Sequence, residues 1–221
     1  MRFMIVVVLL GLTLLAPAHA HYIWVEREAD GAAKVRFGEW HRGIVEKTGG
    51  RLDNIQAAIV LPDSLKVSAE RRPDHIRLAT THQGDLAVVE PMAPRAMRQA
   101  TSVTRTTFMA RAGRSEVKSL LELDLVPDAP GSNRFTLLFR GEPLARTRLT
   151  VYGPPRWEKS LATDQDGRVE VETPWAGQYL VEVNHVVEEG GEVADVSFDA
   201  SRYNLVLSFS VDEGARWSEA D

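Results

Sequence analysis

Tyr203-Asn204-Leu205-Val206-Leu207-Ser208-Phe209-Ser210-Val211 sets a large apolar side chain at every second position, with mostly smaller or more polar residues between. Side chains leave a strand on alternate faces, so the stretch reads as a β-strand whose row Tyr203, Leu205, Leu207, Phe209 and Val211 faces a core. The same period of two recurs upstream. Tyr179, Val181 and Val183 alternate with Leu180, Glu182 and Asn184. Leu149 and Val151 alternate with Arg148, Thr150 and Tyr152, and Ile23 and Val25 with Tyr22, Trp24 and Glu26. Short alternating windows punctuated by Gly, Pro and Asp turns predict an all-β chain of the sandwich type. No stretch carries a long apolar stripe of helical period. A short helix within 91–100 would have to contend with Pro91 and Pro94.

Outward from these strands, Pro127-Asp128-Ala129-Pro130-Gly131-Ser132-Asn133 clusters turn formers after a strand expected at 120–126. Downstream, strands are expected at 135–139, 145–152, 159–163, 168–172, 178–185 and 203–211, enough for a small Ig-like or transthyretin-like β-sandwich. Upstream lies a run of shorter strands of unreadable topology. The expected organisation is two such β domains, 21–126 and 127–213, with a polar tail at 214–221.

The first 20 residues read as a targeting segment. Arg2 supplies the positive start, 3–15 is apolar, and Ala18-His19-Ala20 puts small residues where a signal peptidase reads them. The apolar run falls short of the roughly 20 residues that a membrane span needs, and no second long run follows. Cleavage would start the mature chain at His21 and leave an exported protein, periplasmic or secreted, without a membrane span. A net charge of −5 and no basic stripe argue against nucleic acid or an anionic membrane as partner. Cysteine is absent, which excludes thiolate nucleophiles, iron–sulfur clusters, cysteine-based zinc sites and blue-copper centres. Soft-metal chemistry is left to six histidines, one of them in the leader, and to Met92, Met97 and Met109.

Processing makes His21 the most informative residue. An N-terminal histidine offers its α-amine and its ring Nδ1 to one ion, and a second imidazole completes a planar three-nitrogen set, the histidine brace. Planar nitrogen ligands suit Cu(II), which heads the divalent affinity series. The α-amine titrates near about 7.7–8.0, so a metal displaces its proton close to neutrality. His185 ends the row Tyr179, Val181, Val183 as His21 begins the row Ile23, Val25, so each imidazole stands at the rim of a core-facing row and the two could meet at one mouth. The plainer alternative is that His185 caps its row and bonds a loop carbonyl. His41, in Gly38-Glu39-Trp40-His41, is a weaker third ligand. His75 and His82 sit in polar surroundings and read as solvated surface, as do Glu188-Glu189 and Glu122 with Asp124. The methionines read as core fillers rather than Cu(I) ligands. Asp164-Gln165-Asp166-Gly167 reads as a hairpin turn, because a calcium loop would need Glu where Thr173 stands. No nucleophile with its base, phosphate loop or metalloprotease motif is present, so an enzyme is not expected.

Several segments read together bear a family resemblance. His21-Tyr22-Ile23-Trp24-Val25-Glu26, then Val35-Arg36-Phe37-Gly38-Glu39 and Gly49-Gly50-Arg51-Leu52-Asp53, resemble the opening of the domain-of-unknown-function family DUF4198, grouped with NikM-like nickel-uptake components. Phe139-Arg140-Gly141-Glu142-Pro143-Leu144-Ala145, residues 149–153, 163–167 and 175–179, Val183-Asn184-His185 and Ser201-Arg202-Tyr203-Asn204 are similar to its second half. The resemblance implies an exported β-sandwich that handles a transition metal, with ligand logic similar to CopC-like copper carriers. It implies His21 and His185 as ligands and does not extend to His41. The absence of a long membrane segment departs from NikM itself.

Together these readings predict a non-enzymatic copper carrier or buffer. It would hold one Cu(II), with nickel the alternative metal, and would exchange it with a membrane metal transporter or a metalloenzyme. A competing expectation is a metal-free Ig-like module of the cell envelope, docking through Trp24, Trp40, Trp157 or Trp175, or a nickel or cobalt uptake accessory. A copper oxygenase using the same brace would need a flat aromatic face and an axial Tyr or Phe, neither of which the sequence locates.

Overall fold

Alternating β-branched and aromatic residues do what their period demands. The computed structural model describes residues 21–96, 102–154 and 156–216, and over them the chain is all-β, with two short 3-10 turns. The expected leader, Met97 and the end of the tail lie outside the described residues. So do residues 97–100 of the expected helix; its described part, 91–96, is not helical, with Pro91 ending the strand Leu86–Pro91 and Arg95–Ala96 forming a short strand on Val103–Ala112.

The largest sheet has eight strands. Its spatial order is Trp157–Ala162, Arg148–Gly153, Gly177–Val187, Ala200–Val211, Val103–Ala112, Leu86–Pro91 and Ile59–Leu61, with Arg95–Ala96 added on Val103–Ala112. Ala200–Val211 and Val103–Ala112 run parallel, Leu205 opposite Met109, while every other named pair in this sheet is antiparallel. A four-stranded sheet of Leu123–Pro127, Arg134–Phe139, Glu142–Pro143 and Arg168–Glu170 covers one face. Leu123, Leu125, Phe135, Leu137 and Val169 pack there against Val151, Val181, Val183, Leu205 and Leu207. The opposite face carries a five-stranded sheet of Tyr22–Arg27, Ala33–Glu39, Ile44–Val45, Ser68–Arg71 and Ile76–Ala79. Its Ile23, Val25, Val35, Phe37 and Leu78 meet Leu86, Val88, Ala110 and Ala112.

The period-two reading of Tyr203–Val211 holds, with a refinement. Leu205 and Leu207 face the four-stranded sheet, and the intervening Val206 is buried too, packed with Tyr22, Trp24, Tyr152 and Leu180. Both faces of the large sheet are therefore covered. Tyr22, Ile23, Trp24 and Val25 are all buried, because their strand turns one face to Phe37 and Ala110 and the other to Tyr152 and Val206. The boundary expected at 126/127 does not coincide with a break: it falls inside Leu123–Pro127, and the largest sheet joins strands from both sides of it. At 164–167 the expected turn forms, with Asp164 Oδ1 accepting from the Asp166 and Arg168 amides and Gly167 at φ 76°. It is not a hairpin, since Trp157–Ala162 and Arg168–Glu170 enter different sheets.

Candidate metal centre at the N-terminal histidine

Gly38 decides the local geometry. At φ 148° its Cα lies so close to the returning chain that a Cβ would stand 2.1 Å from the Ile44 carbonyl oxygen. Glycine alone permits that approach. The chain makes a 3-10 turn over Trp40–Arg42, reverses at Gly43, and pairs Ile44–Val45 back on Gly38 and Glu39. The Glu46 amide then donates to the Phe37 carbonyl at 2.8 Å. Glu39 and Glu46 thereby arrive on either side of His21.

The His21 ring is held between those two carboxylates. Nδ1 lies 3.2 Å from Glu39 Oε1 and Nε2 lies 2.6 Å from Glu46 Oε1. Glu39 is only 4 % exposed, and Arg42 Nη1 donates to its other oxygen at 3.0 Å. Arg51 Nη1 stands 3.8 Å from Glu46 Oε1. The ring tilts over Phe37 at 5.4 Å. Beside it opens a cavity of about 460 Å³, floored by Phe37, Phe108 and Met92 and rimmed by Arg51 and Arg95.

The other expected ligand is elsewhere. His185 lies on the face of the large sheet that meets the four-stranded sheet, its ring 4.6 Å from that of Phe139, with the row Val181 and Val183. His21 belongs to the sheet on the opposite face. The large sheet therefore stands between the two imidazoles, which were expected to meet at one mouth. The parity argument put each histidine at the rim of a core-facing row; it could not say that the rows face different cores. His185 thus takes no part in the arrangement around His21. Burial and the charge of Arg140 lower its pKa from the ordinary value.

His41 is engaged differently. Its ring stacks on Tyr152 at 4.6 Å and 8°, and its Nδ1 lies 3.2 Å from the Tyr22 hydroxyl, which accepts from the Trp40 amide at 3.0 Å. Burial, with Glu182 nearby, pushes both the Tyr22 and Tyr152 hydroxyls well above the usual phenol range. His75 is not free surface but bonds Asp74 Oδ1 at 2.7 Å, and His82 Nε2 lies 3.2 Å from the Asp85 carbonyl. Met109 is a core filler as expected, whereas Met92 lines the cavity beside His21. Asp124 is no solvated charge: it is fully buried and accepts from Arg111 at 2.9 Å. Trp24 is buried rather than displayed.

Among the described residues, no group of three or more His, Asp or Glu side chains is arranged to hold a metal ion. The sequence reading missed Glu39, Glu46 and Arg51 as neighbours of His21. The available signal was Gly38, whose presence between Phe37 and Glu39 allows the fold-back. Comparison of the chain with protein-family models, with curated proteins and with solved structures finds no match.

Proposed function

We propose that this chain is an exported carrier of a divalent transition metal, Cu(II) foremost and nickel second, with the metal held as cargo at the processed N-terminus. The supporting observation is the pair of carboxylates flanking the His21 ring. A histidine that ligates through one nitrogen commonly donates its other N–H to a carboxylate, which fixes the tautomer and raises its basicity. Glu46 stands where that partner is needed, at Nε2, so Nδ1 is the nitrogen directed to the ion. Glu39 lies 3.2 Å from Nδ1. Two donors on one ion with bonds of about 2 Å and near-right-angle geometry lie about 3 Å apart. The side chains alone fall short of a site, and the α-amine that cleavage would release supplies the third donor. Two nitrogens and a carboxylate, without sulfur, favour Cu(II) over Cu(I). The resemblance to DUF4198 proteins points the same way through His21, though no longer through His185.

The test is a Cu(II) titration of protein beginning at His21, of protein carrying one extra N-terminal residue, and of His21→Ala, Glu39→Gln and Glu46→Gln. One tight equivalent is expected for the processed chain, lost on extension or in His21→Ala, and weakened about 10–100-fold in Glu46→Gln. Equal affinity of processed, extended and His21→Ala protein would overturn the reading. A second reading, a metal-free module that binds a small ligand, is favoured by the cavity beside His21 with its edge-to-face Phe37–Phe108 pair at 5.7 Å. It requires unaltered ligand capture in metal-stripped protein.

A further inference from the structure

Several buried or half-buried arginines face a carboxylate: Arg36 meets Glu26 and Asp74, Arg71 meets Asp53, Arg77 meets Glu28 and Asp30, and Arg111 meets Asp85 and Asp124. Arg27 and Arg114 are different. Arg27 closes the strand Tyr22–Arg27 and donates through Nη2 only to the His82 carbonyl, while its buried Nη1 has no partner among the described residues. Arg114 follows the strand Val103–Ala112, lies 4.7 Å over the Phe209 ring, and donates through Nη1 to the Gly131 carbonyl and the Asn133 side chain. Neither makes an ion pair among the described residues. Asp85, whose charge reaches Arg27, is already engaged by Arg111 at 2.7 Å and by the Ser115 and Glu116 amides.

Arg27 and Arg114 both line one cavity of about 310 Å³, together with Ser115, Gln178, Ser210 and Phe209. Its lining contains no acidic residue. Asp212 and Glu213 line a neighbouring cavity that Arg114 also borders. Burial opposes the charge on both arginines. Withdrawing cations from water without a counter-charge is costly, and among the described residues these two guanidiniums donate only to neutral carbonyl oxygens. A guanidinium fork matches the oxygen spacing of carboxylate and phosphate.

We propose that the Arg27–Arg114 cavity is a binding site for a small organic anion, whose oxyanion group sits between the two guanidiniums and whose apolar body lies on Phe209. The hydroxyls of Ser115 and Ser210 and the Gln178 amide supply neutral donors. The cavity is larger than a bare oxyanion needs and falls at the small end of ligand clefts. The site is independent of His21, being built at the far end of the same strand.

The test is a calorimetric titration of the wild-type protein with inorganic phosphate and, separately, with benzoate, repeated on Arg27→Gln, Arg114→Gln and the exposed control Arg148→Gln. One saturable equivalent is expected for at least one probe, and which probe binds tells phosphate from carboxylate as the preferred group. Each site variant should weaken it about tenfold, as expected for one charge-assisted contact, with the control within about twofold of wild type. Should Arg27→Gln fail to fold, Arg27→Lys keeps the charge but loses the fork, and should still weaken binding. Absence of saturable binding by both probes up to about 10 mM, or equal affinity across site variants and control, would overturn the proposal. Cu(II) affinity of Arg114→Gln stays at the wild-type level if the two sites are separate.

Discussion

A single carboxylate shows how much of this molecule is held by arginine. Asp74 takes an Arg36 hydrogen bond at 2.7 Å and one from His75, which together hold its carboxyl near 2 rather than the ordinary 3.8. A depressed acid stabilises the fold above its unfolded pKa and loses that contribution as pH falls through the folded value. Asp74→Asn should therefore melt below wild type at pH 7, and the gap should close between about pH 4 and pH 2, as followed by circular dichroism. Because Asp74 is partly exposed, the gap will be modest. Arg111 is the opposite case, fully buried between Asp85 and Asp124. Arg111→Ala strands two carboxylates in the interior and should cost about 3–5 kcal/mol in urea unfolding. His185 gives a spectroscopic test: its NMR titration midpoint should lie below the ordinary histidine value and rise toward it in Arg140→Gln. At this scale the sequence was a partial guide. His21 stood out by its position after a cleavage signature and Gly38 hinted at the fold-back that brings Glu39 and Glu46, but the Arg27–Arg114 pair is brought together by tertiary packing that leaves no local pattern.

At the scale of elements, the fold-back at Gly38 positions both carboxylates around His21. Gly38→Ala forces a Cβ into the Ile44 carbonyl and should open the Ile44–Val45 strand. The expected outcome is weakened Cu(II) binding together with loss of hydrogen-exchange protection at the Glu46 amide, both measured on the same sample. Strand existence was legible wherever one face is apolar, as at Tyr179–Val183 and Tyr203–Val211, because a half-buried strand writes its period in the sequence. The strand Tyr22–Arg27 was legible from Ile23 and Val25, but its burial on both faces was not, since Tyr22 and Trp24 stood in the more polar half of the alternation. The parallel match of Ala200–Val211 with Val103–Ala112 was illegible for another reason. Its partners lie far apart in sequence, and nothing local specifies which strands become neighbours.

Across the whole molecule, three layers share one central sheet. A fragment beginning at residue 127 would lose Val103–Ala112 from the flank of Ala200–Val211 and bare an apolar strand edge. Such an edge invites intermolecular pairing. The fragment should aggregate or show poor NMR dispersion, whereas the chain from His21 should unfold in one cooperative step. The all-β class was readable because every strand voted for it, while the number and arrangement of layers depended on which faces meet, as the separation of His21 from His185 illustrates. The strand Ala200–Val211 bridges Gly177–Val187 and Val103–Ala112. Without that keystone the central sheet would fall into two separate flaps, so the docking of one strand ties the early and late segments of the described chain together.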